Sequence, residues 1–84
     1  GTRFVMLIDD KPGVFAQVTK LFAQENANVE NIAVYHTDRG SEVVVKATGE
    51  VAVDKMTKIL QDAGFNITNV VQTTAEGKTV VWLK

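Results

Sequence analysis

The chain contains no cysteine and a single histidine, His36. Without cysteine there is no disulfide framework, thiol nucleophile or zinc knuckle, and one histidine does not build a metal cluster by itself, so no cofactor is implied. Neither sign of charge dominates: nine Lys and Arg stand against ten Asp and Glu, for a formal net charge of -1. The basic footprint that phosphate-backbone binding requires is missing, which argues against nucleic acid as a partner. Long apolar runs are missing too. The longest, Phe4 to Ile8, falls far short of the roughly 20 residues of a membrane helix. The expectation is a soluble, cytoplasmic domain with no membrane partner. The chain opens at Gly1 rather than at methionine, as expected of an excised piece of a longer protein or of a cleaved tag.

What is present suits one small core. Eighty-four residues, 45% of them hydrophobic, make a single domain over 1–84 whose burial leaves a margin of only a few kcal/mol. Arg3 to Ile8 reads as a central strand, apolar without polar alternation, as when both sheet faces are covered. Val14, Val18, Leu21 and Phe22 then recur at helical spacing. The expected helix runs from about Pro12 to Gln24, with proline at the first helical position where its missing N–H costs nothing. Val29 to Thr37 and Glu42 to Ala47 read as a hairpin around Asp38-Arg39-Gly40-Ser41. Val53, Met56, Leu60 and Ala63 mark a second helix stopped at Gly64, and Phe65 to Thr73 a fourth strand.

The two halves repeat at an offset of 38 residues, with Thr19-Lys20-Leu21-Phe22 over Thr57-Lys58-Ile59-Leu60 and Asn28-Val29 over Asn66-Ile67. Two strand-helix-strand units in tandem give an α+β, ferredoxin-like βαββαβ sandwich: a four-stranded antiparallel sheet with two helices on one face. The other face must find cover or stay wet. Lys78 to Leu83 adds an extra C-terminal strand, expected to hairpin with the fourth strand or to reach a second subunit.

The repeat fails at one informative place. Asp10-Lys11-Pro12-Gly13-Val14 lies over Thr48-Gly49-Glu50-Val51-Ala52, so only the first half has a Pro-Gly helix entrance beside an acid. The N–H groups of Gly13, Val14 and Phe15 at the positive end of a helix suit a carboxylate, and Asp10 beside them suits an ammonium. That pairing fits a free amino acid. The plainer alternative, that Asp10 only completes the helix start and Pro-Gly is turn punctuation, stays open on spacing alone.

Catalytic readings are weaker. His36 has no Ser or Cys nucleophile spaced around it, and adjacent Asp9 and Asp10 diverge rather than converge on one bond. No enzyme is expected. An acylphosphatase would need an arginine in a phosphate cradle, where Lys11 is the loop's only basic residue. An RNA-recognition module would show aromatics on its central strands, where this chain has Glu42-Val43-Val44-Val45-Lys46.

The run Asp10-Lys11-Pro12-Gly13-Val14-Phe15, an amphipathic helix, and Asn28-Val29 opening the next strand together resemble an ACT domain, a small regulatory module that binds amino acids. The resemblance covers Arg3 to about Val71. It implies a homodimer paired side by side, with an amino acid effector at the seam between subunits. Asp10, Lys11, Pro12, Gly13, Val14 and Phe15 would form one wall, and Asn28 matches an asparagine that reaches the ligand in serine-sensing members. Those members have a histidine at the position of Ile8 and an asparagine at that of Asp10, so this chain departs from the serine pattern. Asn66 mirrors Asn28 in the half without a ligand loop, and a purely structural turn role for both stays open. The resemblance extends to ACT modules attached to paired CBS domains, which implies a linked CBS or enzyme domain as partner. The competing expectation is a ligand-free dimerisation module built on the sheet edge and Val80-Val81-Trp82-Leu83.

Overall fold

The computed structural model describes residues 1–9, 12–48 and 51–83. Its elements are β1 (Thr2–Ile8), α1 (Val14–Gln24), β2 (Asn28–Thr37), β3 (Gly40–Thr48), α2 (Val53–Asp62), β4 (Asn66–Thr73) and β5 (Thr79–Leu83). The strands form one antiparallel sheet in the order β2-β3-β1-β4-β5. This is the ferredoxin-like α+β sandwich with an added strand. β5 hairpins with β4 in the same chain, settling the choice left open by its sequence.

β1 lies at the centre, between β3 and β4. Its apolar run does not report two covered faces, as its lack of polar residues suggested. Thr2, Phe4, Met6 and Ile8 are buried, whereas Val5 and Leu7 are only partly buried and Arg3 is exposed. The helices cover one face; on the other, Val5 and Leu7 are shielded only by neighbouring strands. Phe4 and Phe22 meet edge to face, ring centroids 5.3 Å apart at 71°, the arrangement that sets a ring's positive edge against a negative face. Val18 and Phe22 of α1, and Val53, Met56 and Leu60 of α2, complete the core against Val43, Val45 and Val70.

Both helices end in the same way, which gives the 38-residue repeat its physical basis. In α1, Asn26 takes a left-handed φ of 58°, and the N–H groups of Asn26 and Ala27 bond back to the carbonyls of Ala23 and Phe22. In α2, Gly64 takes φ 97°, and the N–H groups of Gly64 and Phe65 bond back to Gln61 and Leu60. Each is a Schellman turn that satisfies orphaned carbonyls and releases the chain into a strand two residues later.

The first helix begins later than its sequence suggested. Gly13, with φ 83° and ψ -2°, is the N-cap, and helix starts at Val14. Those angles belong to the third position of a type II turn, where proline favours the second. Pro12 is therefore turn punctuation and not the first helical residue.

The matched helix stops generate a stability prediction. A Cβ at Gly64 meets nothing within 4 Å, so Gly64→Ala carries the left-handed backbone cost alone, about 1–2 kcal/mol. Its repeat mate already holds a side chain, and Asn26→Gly stays within about 0.5 kcal/mol of wild type. Urea denaturation of the two variants beside wild type checks the contrast.

Candidate functional site

Among the described residues, no side chain caps the N-terminus of α1 at the helix entrance. Glycine at the N-cap offers none, and the first turn of α1 contains no acidic residue. The first bond within the helix runs from the N–H of Gln17 to the carbonyl of Gly13, 3.0 Å. The N–H groups of Val14, Phe15 and Ala16 therefore precede the intrahelical ladder, at the positive end of the dipole. The α2 start differs, with Ala52 in extended backbone and Asp54 in its first turn. That difference is the structural form of the broken repeat.

Of the residues singled out by sequence, Pro12 and Gly13 are exposed, Val14 is partly buried against the core, and Phe15 is 43% exposed. Asp10 and Lys11 lie outside the described residues. Pro12, Gly13, Val14 and Phe15 line none of four clefts on the described surface, two of which lie at the ends of the open sheet face.

Asn28 is not beside that wall. β1 reaches the entrance loop from Ile8, which pairs with Ser41, whereas Asn28 pairs with Thr48 next to the Thr2–Ala47 end. The 11 residues of α1 separate the two, roughly 16 Å of helix at 1.5 Å per residue. Asn28 Nδ2 donates to Thr48 Oγ1 at 3.2 Å, and Thr48 Oγ1 donates to the Asn28 carbonyl at 3.4 Å. The pair clips the end of the β2–β3 ladder. Asn28 and Asn66 each follow their left-handed residue by two positions, which explains the shared asparagine by the helix stop they share.

His36 sits near the end of β2, exposed, with Nδ1 3.1 Å from Ser41 Oγ. Among the described residues no group of three or more His, Cys, Asp or Glu is placed to hold a metal ion. No helix there is long and apolar enough to cross a membrane.

The helix-free face of the sheet, expected to find cover or stay wet, carries partly buried Val5, Leu7, Ala33, Val44 and Val71. Its signal was the second set of alternating positions in the same apolar strands.

The fold is a small α+β module whose first helix opens at one end of the sheet. A family model described as the AHAS small subunit-like ACT domain matches residues 4–62, and the chain belongs to that family. It is 33% identical over 70 residues to the acetolactate synthase small subunit of Mycobacterium bovis and to a putative acetolactate synthase small subunit of Mycobacterium tuberculosis. Each alignment takes in 80% of this chain and 41% of the relative, so the chain spans about two-fifths of the relatives' length. These relatives are named for acetolactate synthase and not for paired CBS domains, so the fused-CBS expectation draws no support from them.

The clip at Asn28 is open to a direct check. Asn28→Ala and Thr48→Val should each cost less than about 1.5 kcal/mol, as for one exposed hydrogen-bonded pair. The double variant should cost little more than either single, because both remove the same contact. Chemical denaturation of the four proteins measures that coupling, and full additivity would refute the clip.

Proposed function

We propose that this chain is the amino-acid-sensing regulatory domain of a small subunit that partners a catalytic subunit of the acetolactate synthase type. The effector is a free amino acid or similar small carboxylate, bound at a seam between two copies. The observation that carries this reading is the entrance of α1: glycine at the N-cap, no acid in the first turn, and backbone N–H groups that precede the first intrahelical bond. A ligand carboxylate supplies the missing anion. Family membership supplies the regulatory context, and the relatives' name supplies the partner.

The seam follows from where the candidate residues stand. β2 is an edge of the sheet, ten residues long, without proline or lysine to blunt it. A register shift between Val29 and Asn31 disturbs only its first part. Pairing β2 with its copy about a two-fold axis perpendicular to the sheet runs the two strands antiparallel. The Asn28 end of one copy then comes to the Thr37 end of the other, the end at which α1 begins. One chain's helix entrance and its partner's Asn28 thus share a site that neither chain forms alone. Phe15, on the first turn, supplies apolar surface beside it.

Regulation in this arrangement is a difference of affinities. A ligand held by two chains favours the placement in which both walls are in reach, and shifts the equilibrium only by as much as it prefers that placement. The domain itself performs no chemistry. A ligand-free dimerisation module is the second reading, favoured by the exposure of Val81 and Trp82 on β5.

A thermal-shift screen against free L-amino acids at millimolar concentration tests the proposal, since ligand at about 100 times its dissociation constant adds about 2.7 kcal/mol. One or a few amino acids should raise the melting temperature. Ala16→Glu should abolish that response by placing a carboxylate where the ligand's belongs, while holding or raising the ligand-free melting temperature through its favourable position on the dipole. No responder with a folded protein favours the ligand-free module; an unchanged response in Ala16→Glu removes the helix entrance as the site.

A further inference from the structure

The geometry points to a second self-association surface, in which the helix-free face of the sheet packs against the same face of another copy with the strands of the two layers antiparallel. This contact is separate from the β2 seam and does not rest on the ligand reading.

Ala33, Val44 and Val5 form one row across β2, β3 and β1. Two residues away on one side, Lys46 stands directly opposite Arg3; two residues away on the other, Glu42 stands opposite Leu7. Like charges opposed across a ladder are destabilising, so Arg3 and Lys46 are a fault in the isolated sheet. The cleft at their end is lined by these two cations and one carboxylate, Glu30. The cleft at the other end is lined by two carboxylates, Asp38 and Glu42, and one cation, Arg39.

The face is therefore apolar along the middle of β2, β3 and β1, with Asn69 continuing that row on β4 and Tyr35 beside Glu42, and it carries opposite net charge at its two ends. A second copy turned about an axis along the middle row brings opposite charges together on β3 and lays Arg3 over the partner copy's leucine at position 7. Val44 lies over the partner copy's own valine, and Lys46 falls opposite the carboxylate at position 42, twice per pair. Turning the copy about an axis along the strands instead sets cation against cation. An isologous contact is thus specified in orientation as well as in chemistry. Two sheet faces packed this way lie about 10 Å apart, their twists offsetting the strands by roughly 30°. Five strands at about 4.8 Å spacing and about 25 Å length give a face on the order of 600 Å², near the ~800 Å² that a standard interface buries on each partner. A helix docked on the face has no reason to find a charge pattern that reverses about its own midline; a second copy requires it.

Charge exchange on β3 tests this, with sedimentation equilibrium of the ligand-free 84-residue chain as the readout. Lys46→Glu and Glu42→Lys should each weaken one association step by at least about tenfold, because each sets like charges face to face. The assembly halves in mass, from tetramer to dimer if the β2 seam forms and from dimer to monomer if it does not. The double variant Lys46→Glu/Glu42→Lys should recover wild-type association, and an equimolar mixture of the two single variants should associate with each other. Far-UV circular dichroism establishes that all are folded, as expected for positions on an open sheet surface. Wild-type mass in the single variants overturns the proposal, as does a wild-type chain that shows no step sensitive to these charges. A folded double variant that stays dissociated overturns it as well.

Discussion

The contact between Phe4 and Phe22 joins the central strand to α1 inside the only face of the sheet that the helices cover. Phe4 lies between β3 and β4 in register, opposite Val45 on one side and Val70 on the other. Fixing one turn of α1 over that point fixes the rest of the helix axis, and with it the position of its first turn beyond the end of β1. The helix entrance is thus held at a sheet end by a fully buried aromatic pair one helix length away. A large-to-small change at either ring removes contacts worth several kcal/mol, comparable to the whole stability of a domain this size.

Around that anchor the two halves obey the same rules up to one point. Each sends a strand into a helix, stops the helix with a left-handed residue, and opens the next strand with asparagine. They part at the helix start, where the first half has Gly13 and no acid in its first turn, and the second has Ala52 and Asp54. Asp54 answers the dipole of α2 from within the chain. The first turn of α1 has no such acid. The duplicated architecture is broken at that start, at no expense to the core both halves share.

Much of this was legible in the sequence because period and punctuation are local signals. The helical spacing of Val18 and Phe22, the stop at Gly64 and the turn residues before Gly40 each act within a few residues. The offset repeat then fixed the strand order through right-handed crossovers. Three features were not legible. Pro12-Gly13 is equally compatible with a helix's first residue and with a type II turn, and only the positive φ of Gly13 decides between them. The apolar run of β1 hid an alternation in burial because its less covered positions, Val5 and Leu7, are also apolar. The distance between the entrance loop and Asn28 depends on which sheet end each strand enters, a long-range property that no spacing along the chain expresses. For the same reason the opposition of Lys46 and Arg3 on the open face emerges only from the ladder.

The proposed binding of an amino acid at the helix entrance is tested most directly by amide chemical shifts. In a titration of the ¹⁵N-labelled chain with each free L-amino acid, an effector should move the resonances of Gly13, Val14, Phe15 and Ala16 together with those around Asn28. The two groups should report a single dissociation constant, since one site built by two chains titrates as a unit. Saturable shifts confined to the open sheet face or to β5, or no saturable shift with any amino acid, would contradict it.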